Sequence, residues 1–320
     1  MGGRVGRSAA RARAGSWRAP VVCAIAAASM LVSGGTGTTQ AAASTRRVTA
    51  VGAENEYANV ISQIGGPHVT VRAIMTNPNT DPHTFEASTR VAQEVAAAQL
   101  VVQNGVGYDT FMHTIEAASP SKSRKVVDVQ TVRHLPDTTK NPHLWYDPKT
   151  MPKVAKAIAK DLDELDPAHA SYFEAHLRAF DRSLGPWRAA IRTLRAKYEG
   201  TPVATTEPVA DDVLEAAGID DKTPWAFQAD IMNGIDPSPQ VISYEEKLVR
   251  TRLVRALVYN KQVTDSMTTS LLAIAKKAHV PIVGVYETMP EPGYDYQRWM
   301  VAEVDALEHA FAHHESAPKL

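Results

Sequence analysis

The 320-residue chain has a single cysteine, Cys23, and it lies within the first 43 residues. Those residues read as an export signal. Arg4, Arg7, Arg11, Arg13 and Arg18 form a basic start, Ala19 to Val32 a short apolar run, and Ala41-Ala42-Ala43 a cleavage sequence of small residues. The apolar run falls short of the roughly 20 residues that a membrane-spanning helix needs, and nothing later in the chain offers a span. A lipid-bearing cysteine would follow a small residue and an apolar core, whereas Cys23 follows Val22 and precedes most of the apolar run. The exported chain is therefore expected to be a soluble protein of the periplasm or extracellular space, not a lipoprotein. Without a thiol it has neither disulfides nor a thiolate metal site, so any metal must be held by imidazole and carboxylate.

An excess of positive charge is also missing. Over the whole chain 34 basic residues face 35 acidic ones, and five of the basic residues sit in the leader. The remainder is mildly acidic, which argues against a nucleic-acid partner. Internal repeats are absent, and so is the His-Glu-x-x-His run of a zinc hydrolase helix. What remains after position 43 is long for a single core and natural for two lobes.

Short apolar runs alternate with amphipathic stretches, the pattern of parallel α/β layers. Strands are expected near Val48–Ala53, Val69–Met75, Leu100–Gln103 and Lys125–Val129, and again near Pro202–Thr205, Ala256–Tyr259 and Pro281–Val285. Between these halves Phe173, Leu177, Phe180, Leu184, Trp187, Ile191, Leu194 and Tyr198 recur at alternating spacings of four and three, one apolar stripe along a helix. Asp166 and Pro167 are suited to its first turn, and Gly185-Pro186 should kink it without changing its phase. The expected fold class is α/β, two lobes with parallel β-sheets flanked by helices and joined by one long backbone helix. The expected segments are a signal peptide over 1–43, an N-terminal lobe over 44–165, a linking helix over 166–199 and a C-terminal lobe over 200–320.

Two Pro-His steps occur in matching settings, Asp81-Pro82-His83 and Asn141-Pro142-His143, each followed by an aromatic residue. Proline fixes its own φ and biases the preceding residue to an extended shape, so each imidazole is presented from a stiff loop. Asp81 or Glu86 is placed to orient the His83 ring. Glu207 and Glu287 each stand at the end of an expected strand, where ligands of open α/β sheets gather. Two imidazoles and two carboxylates suit a divalent cation. Glu54 and Asp109 are alternative oxygen donors. His68 reads as a surface turn before a strand.

These residues lie in longer motifs: Asn-Pro-Asn-Thr-Asp-Pro-His-Thr-Phe-Glu over 77–86, Asn-Gly-Val-Gly-Tyr-Asp over 104–109, Asn-Pro-His-Leu-Trp over 141–145, Thr-Glu-Pro over 206–208, Tyr-Asn-Lys-Gln over 259–262 and Tyr-Glu-Thr-Met-Pro over 286–290. Through them the chain resembles the zinc/manganese-type solute-binding proteins of bacterial ABC importers. The resemblance implies metal held at the cleft between the lobes by His83, His143, Glu207 and Glu287, and delivery to a membrane permease; the carrier is expected to be a monomer. Glutamate at position 207 looks more like the manganese branch. Glu287 departs from the family's usual Asp, and the His-rich loop of many zinc receptors is absent before His143. The expected cargo is Zn2+ or Mn2+, with zinc first because N/O sites bind it more tightly. The alternatives are a receptor for a chelated metal or other organic ligand, and a zinc hydrolase.

Overall fold

Strands buried on both faces need apolar runs rather than alternation, and Leu100–Gln103, Leu257–Asn260 and Ile282–Val285 are buried at every residue. The computed structural model describes residues 47–79, 81–290 and 292–320. The expected signal peptide, 1–43, lies outside the described residues. The first sheet contains β1 (Val48–Glu54), β2 (Val69–Met75), β3 (Leu100–Gln103) and β4 (Lys125–Asp128). The second contains β5 (Pro202–Thr205), β6 (Asp220–Asp221), β7 (Leu257–Asn260) and β8 (Ile282–Val285). Their orders are β2-β1-β3-β4 and β6-β5-β7-β8, parallel throughout, so the two lobes share one topology. Strand β6 is a two-residue acidic pair that no hydrophobic pattern announces. The free edge of β8 is covered by the chain's end, where Ala317 donates to the Ile282 carbonyl and accepts from Gly284.

The lobes are linked by a long helical element over 167–198. It opens with a 3-10 turn, Pro167–His169, and continues as Ala170–Ser183 and Gly185–Tyr198. Pro186 has no N–H to give, and the α-helical ladder is interrupted at Leu184, which keeps helical dihedrals (φ −75°, ψ −6°). The apolar stripe survives the interruption: Phe173, Phe180, Leu184, Trp187, Ile191 and Leu194 are all buried. Asp166 precedes the first turn as expected, but its carboxylate bonds the His169 ring instead of a backbone N–H.

The C-terminal helix Tyr296–His313 ties both lobes to this link. Tyr296 meets Trp187 edge-on at 5.8 Å and donates to the Trp145 carbonyl at 2.6 Å. Asn55, at the start of the helix after β1, exchanges two hydrogen bonds with the backbone of Met289 at 2.8 and 3.0 Å. Tyr146 of the first lobe donates to the Tyr286 carbonyl at 2.8 Å and lies 3.1 Å from Glu303 Oε1. Trp299 also donates to that oxygen, at 2.8 Å.

Burial lifts the Glu303 carboxyl from its ordinary 4.5 to about 8, against the opposing bonds of Trp299 and Tyr146. Between those values the folded protein holds a proton that the unfolded chain has released, so stability falls as pH rises through that window. Glu303→Gln keeps the acceptor for Trp299 and removes the titration. The variant should match the parent near pH 5 and exceed it near pH 9 by at most about 4–5 kcal/mol in urea unfolding. Parallel pH profiles for the two proteins would contradict this.

Candidate metal centre

Both Pro-His steps form the same local device. Asp81 Oδ1 accepts the backbone N–H of His83 at 2.8 Å, and Asn141 Oδ1 accepts that of His143 at 3.0 Å. Each is a side chain closing a turn over an intervening proline. Asp81 thus fixes the His83 backbone; the expected hold on the ring by Asp81 or Glu86 is not seen, and Glu86 is exposed. Asn141 does more. Its Oδ1 also lies 2.8 Å from His143 Nδ1, which places a proton on that nitrogen and leaves Nε2 as the free donor. Its amide donates to the Pro208 carbonyl at 2.9 Å, directly after Glu207.

His83 Nε2 and His143 Nε2 converge on one oxygen, Oε2 of Glu287, at 3.3 and 3.1 Å. The rings are nearly perpendicular (84°), with centroids 5.9 Å apart. One donor atom from each of His83, His143 and Glu287 lies within 4.8 Å of the other two. Tyr108 donates to the same Glu287 oxygen at 2.9 Å, and Asn260 Nδ2 to the other. Gln262 Oε1 accepts the backbone N–H groups of Glu287 and Thr288, each at 2.8 Å, and so fixes the strand end.

Glu207 is also buried, at the end of the strand-to-turn segment after β5, and neither carboxylate oxygen makes a hydrogen bond within 3.5 Å. It lies outside the 4.8 Å set. Burial raises its pKa well above the ordinary value, the Glu287 charge raises it further, and the Asn260 amide opposes both. In Glu287 the balance is reversed: burial pushes the pKa up, but the two imidazoles hold it well below the carboxylate range. Burial lowers His83 while the Glu287 bond, its charge and Asp81 raise it, and the net direction is up. For His143, fully buried, burial wins and the direction is down.

Asp109 is occupied elsewhere, accepting from the backbone of Asn104 at 2.6 Å and Gly105 at 2.9 Å. Those bonds brace a loop in which Gly105, Val106 and Gly107 all have positive φ, and that loop delivers Tyr108. Glu54 lies in the field of Asp109 and, like it, outside the donor set. Tyr108, Asn260 and Gln262 are the supports that residue chemistry alone does not single out; only their motifs, 104–109 and 259–262, point to them.

A family model described as "Zinc-uptake complex component A periplasmic" matches residues 51–310. The chain is 23% identical over 253 residues to the metal ABC transporter substrate-binding lipoprotein SloC of Streptococcus mutans, covering 74% of this chain and 79% of that protein. It is 23% identical over 259 residues to the manganese ABC transporter substrate-binding lipoprotein PsaA of Streptococcus mitis, covering 75% and 80%. The solved periplasmic zinc-binding protein TroA of Treponema pallidum superposes with a TM-score of 0.71 at 19% identity, over 84% of this chain and all (100%) of TroA.

Because Asn141 sets the tautomer of His143, Asn141→Ala should weaken zinc binding about 10–100-fold, with a lower melting temperature from the loss of its hydrogen bonds to His143 and Pro208. Calorimetric titration with Zn2+ measures it. Unaltered affinity would mean that the ring is positioned by packing against Trp145 alone.

Proposed function

This chain belongs to the zinc-uptake component A family, metal-binding receptors of ABC import systems, and we propose that it captures one divalent ion between His83, His143, Glu207 and Glu287 and delivers it to a membrane permease. The convergence of His83, His143 and Glu287 within 4.8 Å carries the reading. Glu207 is the fourth ligand: two buried carboxylate oxygens without a hydrogen bond, close enough to Glu287 to feel its charge, are what a cation requires. The donor set contains two nitrogens and two carboxylates and no sulfur, a composition suited to zinc or manganese.

His83 is the exposed member of the set, 20% accessible against 0% for His143 and Glu287. It borders a cavity of about 300 Å3 lined also by Asp81, Tyr108, Phe111 and Met232. The ion meets His83 there and moves inward, displacing the proton that Glu287 favours on His83 and the proton that burial favours on Glu207, while His143 keeps its Nδ1 proton on Asn141 and offers Nε2. Two carboxylates then neutralise the ion, and its water shell is exchanged for protein donors. The exported protein acts as a soluble carrier; Cys23 has the wrong neighbours for a lipid anchor. A hydrolytic role would need an open ligand position and a nearby base, and four protein ligands leave little room for either.

Zinc is the cargo favoured by intrinsic affinity, with manganese second. Competitive titration of the metal-stripped protein with Zn2+ and Mn2+ should show one tight site preferring zinc, lost in His83→Ala. Absence of tight binding to either ion would end this reading in favour of an organic-ligand receptor. The pH dependence has a definite sign. Ion and proton compete for the imidazoles, and His83 holds its proton to higher pH than a free histidine. Affinity should therefore fall as pH drops from about 7.5 to about 5.5. A flat profile would contradict the ligation of His83.

A further inference from the structure

The chain holds a third Pro-His step, Pro67-His68, which the cleft does not use. His68 closes the 3-10 turn Gly66–His68 immediately before β2, whereas His83 follows the opposite end of that strand. Strand β2, seven residues and so roughly 23 Å long, lies between the two places. Across from His68, Asp166 and His169 flank Pro167 at the start of the linking element. One donor atom from each of His68, Asp166 and His169 lies within 4.8 Å of the other two, the same criterion that the cleft residues meet.

We propose that His68, Asp166 and His169 form a second site for a divalent transition ion, distinct from the cleft. Two imidazoles and one carboxylate are a donor set for zinc and its neighbours, with the remaining ligand positions left to water. All three side chains are half-buried, so the site is open enough for ion entry. One feature organises it in advance: Asp166 Oδ2 already holds His169 Nδ1 at 2.7 Å. His68 stands edge-on to Tyr172 and Phe173, with centroids 4.7 and 5.9 Å away. The ion takes the seat of the proton shared by His169 and Asp166. One feature works against binding: the His68 and His169 rings stack at 3.8 Å and 26°, so their in-plane lone pairs run side by side. His68 must turn out of the stack to ligate, which makes this the weaker of the two sites.

Equilibrium dialysis against Zn2+ with the parent, His143→Ala, His169→Gln and the double variant tests this. The expected counts are two bound ions per chain, one, one and none. His169→Gln binding as many ions as the parent would overturn the second site. His143→Ala matching the parent would instead overturn the cleft assignment, so the two failures are distinct. A readout independent of folding in the variants uses the parent loaded with one equivalent of Zn2+. Further Co2+ should then broaden the imidazole resonances of His68 and His169, and unmoved resonances would overturn the proposal.

Discussion

Two imidazoles of one lobe point at a single carboxylate oxygen of the other, and most of the polar interior is built to make that tolerable. An ionised carboxylate without water costs several kcal/mol unless it is paired and hydrogen-bonded. Glu287 is fully buried, accepts from Tyr108 and Asn260, and has His83 Nε2 and His143 Nε2 at 3.3 and 3.1 Å. Three of these four neighbours have their own support, and so does Glu287. Asn141 holds the His143 ring, Asp81 the His83 turn, Asp109 the loop that carries Tyr108, and Gln262 the backbone of Glu287 itself. Removing one support leaves a buried charge short of a partner, so these side chains act as a unit.

The same crossing of lobes explains the way the rest of the fold is tied. A carboxylate from the second sheet can meet imidazoles from the first only if the sheets keep their spacing. The linking element provides length, and the C-terminal helix fixes it by packing Tyr296 against Trp187 while bonding Trp145. Asn55 with Met289, and Tyr146 with Tyr286, add polar ties close to the ligand segments. Access for an ion is thereby concentrated at the loop around His83, the least buried of the ligand candidates.

Much of this is legible in the residues. Alternating apolar runs and amphipathic stretches give the two parallel sheets, and the stripe from Phe173 to Tyr198 gives the link across a proline. The Pro-His steps and strand-end glutamates mark the candidate donors, of which His83, His143 and Glu287 converge, since proline and strand ends restrict where those side chains can stand. Short or polar elements stay hidden: β6 is two aspartates held by pairing with Pro202 and Val203, which is a tertiary effect. The supports are hidden for a related reason. Asn260 and Gln262 become informative only when β7 lies beside β8, and a turn-closing Asp81 is indistinguishable in sequence from one that holds a ring. His68 reads as a surface turn until the linking element brings His169 against it.

The most direct measurement is anomalous diffraction at the zinc edge from crystals of the zinc-loaded protein. A single strong peak in the cleft should lie about 2.0–2.2 Å from Nε2 of His83 and His143 and from oxygens of Glu207 and Glu287. No zinc peak in the cleft, with both imidazoles still on Glu287, would contradict the assignment of the cleft.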